Sequence, residues 1–321
     1  MKVLFFVKKI LKKVYKIVFK NKIKINELIE EKKRLEYQLE YMKHHFDIEQ
    51  MKPATGWLRD YQLNELKFAL EIIYLVKKEG IEPFFDAGSL LGAIRHKGFI
   101  PFDDDIDLGV IRTDFEKLVE IGKKKFVWID TSDIKIGFER FCDEAISSNP
   151  NRYVFIRTPF CLHVYKGTSL RDSVNCEFFP FDYVNESVTD EDFFYFIDKC
   201  KKHFSQSKNW GELFEQYESI LNLGDVLTRE QTTLITPGPG HYAFTQYNFL
   251  GFRKYDELFP LSELVFEGER VPVPNRPEEF ISKNYSSWKS FPKDVGISHS
   301  LEVLNKYFET QHNPIPYKEE Y

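Results

Sequence analysis

Cysteine is scarce in this 321-residue chain. Cys142, Cys161, Cys176 and Cys200 are widely spaced, with no Cys-x-x-Cys pair. That spacing suggests neither a disulfide framework nor a zinc site, and reduced thiols in a cytosolic compartment are the simpler reading. Long apolar runs are missing as well. A membrane-spanning helix needs about 20 mostly apolar residues, and lysines interrupt every such stretch near the N-terminus. Leu4-Phe5-Phe6-Val7 is too short for the core of a signal peptide, and no small-residue cleavage site follows it. No internal repeat stands out. Phenylalanine, by contrast, is plentiful, with 31 residues in a hydrophobic fraction of 42%. Such a chain is long and apolar enough to bury one large core or two modest ones, which excludes disorder over its bulk.

Charge is unevenly placed. Residues 1–24 carry nine lysines and no acid, while the whole chain has a net charge of −5. The remainder is therefore strongly acidic, which argues against nucleic acid as a partner. Within the basic arm, Leu4, Val7, Leu11, Val14 and Ile17 or Val18 recur at helical spacing, with lysines over much of the remaining surface. This pattern predicts an amphipathic helix in a membrane interface, its lysines toward anionic headgroups. The chain is then peripheral on the inner, cytoplasmic face of the cell membrane. A nucleic-acid arm or an ordinary packed helix is the plain alternative. Over residues 25–56 the pattern changes. Leu28, Leu35 and Met42 fall seven apart, with Ile25, Leu39 and Phe46 at companion positions and Lys32 as a polar exception. About three heptads over residues 25–51 suit a short coiled coil and a homodimer, or a helix packed on its own domain. Pro53 and Gly56 then break the chain, and residues 57–321 form the main domain.

That domain holds the most informative stretch, Phe85-Asp86-Ala87-Gly88-Ser89-Leu90-Leu91-Gly92-Ala93-Ile94-Arg95, followed by Pro101-Phe102-Asp103-Asp104-Asp105-Ile106-Asp107-Leu108-Gly109-Val110. A Gly-Ser turn between an apolar strand and a helix can present backbone N–H groups, and the Ser89 hydroxyl, to a phosphate. Asp105 and Asp107 stand two apart in an otherwise apolar run, so a strand projects both from one face. Carboxylates so placed repel unless a cation lies between them. A solvated acidic loop is the alternative, but such a loop has no need of Ile106 and Leu108 alternating with the acids. Arg95, one to two turns into the helix, fits a bidentate phosphate contact or a surface salt bridge. His96 and Lys97 are weaker candidates. Asp103 and Asp104 either tune the site or cap the turn.

The run from Phe84 to Val110 resembles the signature of the LicD family of phosphotransferases, related to fukutin and fukutin-related protein in the nucleotidyltransferase-fold superfamily. Val174-Asn175-Cys176-Glu177-Phe178-Phe179-Pro180-Phe181-Asp182 is similar to that family's third-carboxylate strand, with Glu177 where an Asp is usual. Phe266 to Pro274 and Glu278 to Tyr285 resemble its closing hairpin and helix, although Tyr285-Ser286-Ser287 stands where Tyr-Gly-Asp is common. The likeness runs from about Gln62 to about Ser300, is weakest between Glu186 and Gln246, and includes no zinc-finger element. It implies an α+β fold, a mixed sheet flanked by helices. It also implies Mg²⁺ (or Mn²⁺) held by Asp105, Asp107 and Glu177, with Gly88, Ser89 and Arg95 binding substrate. The implied reaction moves a phospho-alcohol such as phosphocholine from a CDP-activated donor to a hydroxyl of a cell-surface glycan of capsule, lipopolysaccharide or teichoic-acid type, releasing CMP. Glu177 serves there as metal ligand, as general base, or as both. Two other readings stand beside it: a nucleotidyltransferase attaching NMP to a small molecule or protein, and a non-catalytic membrane-associated scaffold.

The remaining pattern predicts helices over Leu63 to Lys78 (closed by Gly80), Asp114 to Lys124 (capped by Thr113), Thr189 to Lys202 (a Thr189/Asp192 capping box) and Trp210 to Leu223. Strands are expected at Pro83 to Phe85, Tyr153 to Ile156 and Leu162 to Tyr165. Asp182 caps a turn or fixes a strand end, and Thr236-Pro237-Gly238-Pro239-Gly240 reads as a connector. The arm supplies the first testable expectation. Sedimentation of the full chain with vesicles should require anionic lipid, weaken as salt rises, and be lost on deletion of residues 1–24. Equal sedimentation with and without the arm would dismiss the anchor.

Overall fold

The computed structural model describes residues 24–25, 28–38, 40–42, 45, 47–134, 138–207, 209–221, 225–240, 252–285 and 288–289. The chain divides into two units, residues 1–48 with 289–293 and residues 49–288 with 294–321. In the first, residues 28–38 and 40–42 are helical. The basic arm as far as residue 23, and Leu39 and Phe46 of the heptad pattern, lie outside the described residues. Among the described residues no helix is long and apolar enough to cross a membrane.

In the second unit, Leu66, Ala69, Ile72, Ile73 and Val76 recur at three- and four-residue intervals and form the buried stripe of α1 (Gly56–Lys78). Gly80, at φ 71°, ends it. A short strand β1 (Phe84–Phe85) and a helix α2 (Ala87–Arg95) follow, then β2 (Asp107–Ile111), α3 (Arg112–Lys125) and β3 (Val127–Asp130). Next come α4 (Phe138–Ser147), β4 (Val154–Arg157), β5 (Leu162–Lys166) and the long β6 (Val174–Val184). The helices α5 (Asp190–Gln206) and α6 (Trp210–Leu221) lead to β7 (Leu227–Thr228), β8 (Leu234–Pro237) and β9 (Arg253–Lys254). After α7 (Tyr255–Leu258), a hairpin of β10 (Ser262–Phe266) and β11 (Glu269–Val273) precedes α8 (Pro277–Ser282).

The main sheet runs β1-β2-β6-β5-β4-β3, with β7 and β8 added to β6 and β9 to β8. It is mixed: β2–β6 and β3–β4 are parallel, the other pairs antiparallel. The fold is thus α+β, with helices against a mixed sheet. β6 is its spine. Pro180 sits in this interior strand without an amide to donate, and the neighbours explain why it is tolerated. β5 pairs only as far as Phe178, and β8 begins at Phe181, so Pro180 falls in the gap between them. Phe84, Phe181 and Phe280 pack edge-on or tilted within the core beneath β1, β6 and α8.

Several local expectations meet the structure directly. The Thr189 N–H donates to Asp192 Oδ2 at 3.0 Å, and the Asp192 N–H to Thr189 Oγ1 at 3.2 Å, the reciprocal pair of a capping box. The β10–β11 turn places Glu267 and Gly268 at φ 53° and 88°, the backbone that a two-residue hairpin loop requires. Two others differ. Helix α3 starts at Arg112 after Ile111, so Thr113 lies inside its first turn rather than capping it. Thr236 and Pro237 belong to β8, paired with Asp182 and Phe181, because cross-strand bonding to β6 outweighs the local Pro-Gly signal.

Asp182 does more than end a strand. Its carboxylate, fully buried, accepts from Arg112 Nε at 2.8 Å and Nη2 at 2.7 Å, and Arg112 also donates to the Tyr217 hydroxyl at 3.0 Å. The pair ties α3, β6 and α6 together. Replacing Arg112 by leucine should cost about 3–5 kcal/mol by stranding a buried charge, with the Arg112→Leu/Asp182→Leu double variant regaining most of it. Urea unfolding of the three proteins checks this.

Candidate metal and phosphate site

The turn between β1 and α2 is built around one residue of the next strand. The Asp86 N–H donates to the Asp107 carbonyl at 3.0 Å, and Ser89 Oγ accepts the Asp107 N–H at 2.9 Å. Both backbone groups of Asp107 are therefore held by the turn. Between those two contacts Ala87 adopts φ 45°, a left-handed backbone that a residue with a Cβ enters only under constraint. Gly88 has a steric reason to be glycine: a Cβ there would lie 2.8 Å from Asp103 Oδ2. The acidic loop is fixed from the other side by α1, where Gln62 Nε2 donates to the Asp103 carbonyl at 2.8 Å.

Parallel pairing then sets the acids. Asp107 is the first residue of β2, and its register partner on β6 is Glu177. Asp105 precedes the strand by two residues and interacts electrostatically with Asp107, Asp103, Asp104 and Glu177. Burial, then Asp107 and the other acids, holds the Asp105 carboxyl well above the usual range. Burial, then Glu177, Asp103 and Asp86, does the same to Asp107, with His163 opposing. Asp103 is pushed up to about 7 by burial and by Asp104, against a hydrogen bond with Asp105 and the charge of Arg95. Such neighbouring acids suit a hard divalent cation, whose charge would offset the repulsion that raises these values; among the described residues, the set of three ligand atoms within 4.8 Å of one another belongs to Cys161, His163 and Glu177.

Of the residues singled out in the sequence, Asp105, Asp107, Glu177, Gly88 and Ser89 come together here. Arg95 is turned elsewhere: it is buried, donating from Nη1 to the Trp288 carbonyl at 3.0 Å and from Nε toward His96 Nε2 at 3.3 Å. Its charge still reaches Asp103.

Two residues carried no site assignment from sequence. Asp86 is buried, and burial raises its carboxyl against the pull of Arg253, itself fully buried with its guanidinium 4.7 Å from the Phe280 ring. His163, on β5, is the register partner of Glu177, and its Nδ1 lies 2.9 Å from Glu177 Oε1. Burial lowers the His163 pKa, but Cys161, Glu177 and Tyr165 more than reverse this, so the imidazole sits in negative surroundings. The one sequence signal was Cys161-Leu162-His163, two polar groups on one face of a strand. Their alignment with Glu177 is set by pairing that no local pattern encodes.

Residues 80–216, a stretch containing the acidic cluster, the Gly88-Ser89 turn and His163, match the model of the LicD/FKTN/FKRP nucleotidyltransferase domain. An uncharacterized protein of Rickettsia typhi is 41% identical over 68 residues, 19% of this chain and 22% of the relative. A second, from Rickettsia prowazekii, is 47% identical over 47 residues, 15% and 18% of the two chains. The lipopolysaccharide cholinephosphotransferase LicD of Haemophilus influenzae is 41% identical over 71 residues, 22% of this chain and 26% of that protein. The aligned stretches thus span only 18% to 26% of the length of these relatives.

Crowding makes a prediction that needs no substrate. Asp105→Asn and Asp107→Asn should each raise the melting temperature of the protein stripped of divalent ions by about 2–4 °C, the shift that about 1 kcal/mol produces in a domain of this size. A fall in both variants, measured by differential scanning calorimetry, would show that these carboxylates are held by attraction instead.

Proposed function

We propose that this chain, which belongs to the LicD/FKTN/FKRP family through its residues 80–216, moves a phospho-alcohol from a CDP-activated donor to a hydroxyl of a glycan, releasing CMP. One observation carries the reading. Inside the stretch matched by the family model, strand register sets Asp107 beside Glu177, with Asp105 two residues ahead. The name of the Haemophilus influenzae relative, a lipopolysaccharide cholinephosphotransferase, favours phosphocholine and a lipopolysaccharide-type acceptor.

In this reading Asp105, Asp107 and Glu177 hold a divalent cation, Mg²⁺ or Mn²⁺. Bound there, the ion would supply positive charge to the donor phosphates and lower the pKa of the acceptor hydroxyl. The chain's own groups do the rest. Asp86 and Ser89 fix Asp107 through its backbone, so the carboxylate does not have to be ordered when substrate arrives. Backbone amides at Gly88 and Ser89, at the start of α2, face the donor phosphate, where the helix dipole favours an anion. The acceptor oxygen bonds to the phosphorus that carries the alcohol, the bond from that phosphorus to the bridging oxygen breaks, and CMP leaves with the electron pair. The hydroxyl proton passes to the Glu177 carboxylate. The lysines of residues 1–24 bring the enzyme to an anionic membrane surface, where glycan acceptors are assembled.

Glu177→Gln should lower turnover at least about 100-fold, in the range of a general base, while donor affinity changes far less, because Asp105 and Asp107 remain. Titration with a CDP-alcohol and assay of CMP release measure the two separately. Donor binding lost in step with turnover would make Glu177 a donor-site ligand. Release of pyrophosphate from an NTP, with no CMP from any CDP-alcohol, would replace the proposed reaction with nucleotidyl transfer.

A further inference from the structure

The contacts of His163 are one-sided. Nε2 lies 3.2 Å from Cys161 Sγ. Nδ1 is buried and has no aligned hydrogen-bond partner, although Glu177 Oε1 is only 2.9 Å away. The two atoms are close without pointing at each other. Two ligands of one divalent ion have this relation: at bond lengths near 2.1 Å and right-angle geometry they stand about 3 Å apart, their lone pairs converging on a third point.

The other edge of the ring is held in place. Cys161 Sγ, 3.2 Å from Nε2, also lies 3.3 Å from the Thr158 hydroxyl, which donates to the Cys161 carbonyl at 3.0 Å and accepts the N–H groups of Phe160 and Cys161. The Nδ1 edge is the one that faces Glu177. This is the arrangement of a metal-bound imidazole whose second nitrogen is held by a neighbour.

We propose that His163 Nδ1 is a ligand of the cation held by Glu177 and Asp107, with Cys161 orienting the ring through Nε2. The three side chains form one row across β2, β6 and β5, since Asp107 and His163 are both register partners of Glu177. A nitrogen in an otherwise carboxylate set shifts preference from Mg²⁺ toward a first-row transition ion, Mn²⁺ being the member that also tolerates carboxylates. The inference rests on the carboxylate site of the proposed function and adds to it a fourth ligand and a metal preference.

Mn²⁺ added to the full chain, without donor or acceptor, provides the test. Pulsed electron paramagnetic resonance should detect one directly bound ¹⁴N. His163→Phe, which keeps the ring volume, should remove that coupling and weaken Mn²⁺ binding at least about tenfold, with a smaller effect on Mg²⁺; circular dichroism checks that the variant is folded. Cys161→Ser should keep the nitrogen signal while losing about 10-fold to 100-fold in affinity, the range for a residue supporting a ligand. His163→Asn, whose amide reaches the Nδ1 position, should regain part of the affinity. Mn²⁺ bound in a manner abolished by Asp107→Asn, but with no ¹⁴N coupling, would overturn this inference and leave the carboxylate site standing. Coupling that persists in His163→Phe would also overturn it. No Mn²⁺ or Mg²⁺ binding at all would remove both readings.

Discussion

Repulsion among closely set, partly buried carboxylates is the constraint around which this structure is arranged. The parallel pairing of β2 with β6 sets Asp107 beside Glu177, and the loop before β2 adds Asp103, Asp104 and Asp105 to the same region. Left to themselves these groups would turn apart or take up protons. The backbone prevents the first. Asp86 and Ser89 hold Asp107, Gln62 holds Asp103, and glycine at position 88 leaves room for the Asp103 carboxylate. Stability is thereby spent on keeping like charges together, a cost that a bound cation would offset.

The other buried ion pair on β6 makes the contrast clear. Asp182 is matched within the protein by Arg112, with the Tyr217 hydroxyl alongside. Its charge is neutralised internally, and its two hydrogen bonds are short and aligned. Five residues earlier on the same strand, Glu177 faces other acids and one imidazole. One end of the strand is electrostatically neutralised within the protein, and the other gathers like charges.

The helices and the acidic pair were legible because their signals are local: apolar residues every three or four positions in α1, the Thr189/Asp192 spacing, and Asp105 and Asp107 two apart in an apolar run. The family likeness supplied Glu177, whose meaning depends on a partner seventy residues away. What stayed hidden is long-range. Arg95 bonds to a carbonyl 193 residues further along, Arg112 to an acid 70 residues on. His163 gains its place only when β5 registers against β6. Thr236 and Pro237 read as a connector because proline and glycine dominate the local pattern, while pairing with β6 decides the outcome.

Pro180 divides more than a hydrogen-bond ladder. On one edge β2 pairs with β6 from Glu177 through Pro180 to Phe181, while on the other β5 gives way to β8 across the proline. Glu177 and Asp182 thus differ in the neighbour on that second edge. The strands added at Phe181 and beyond, β8, β7 and through β8 also β9, pair with no residue of the acidic cluster.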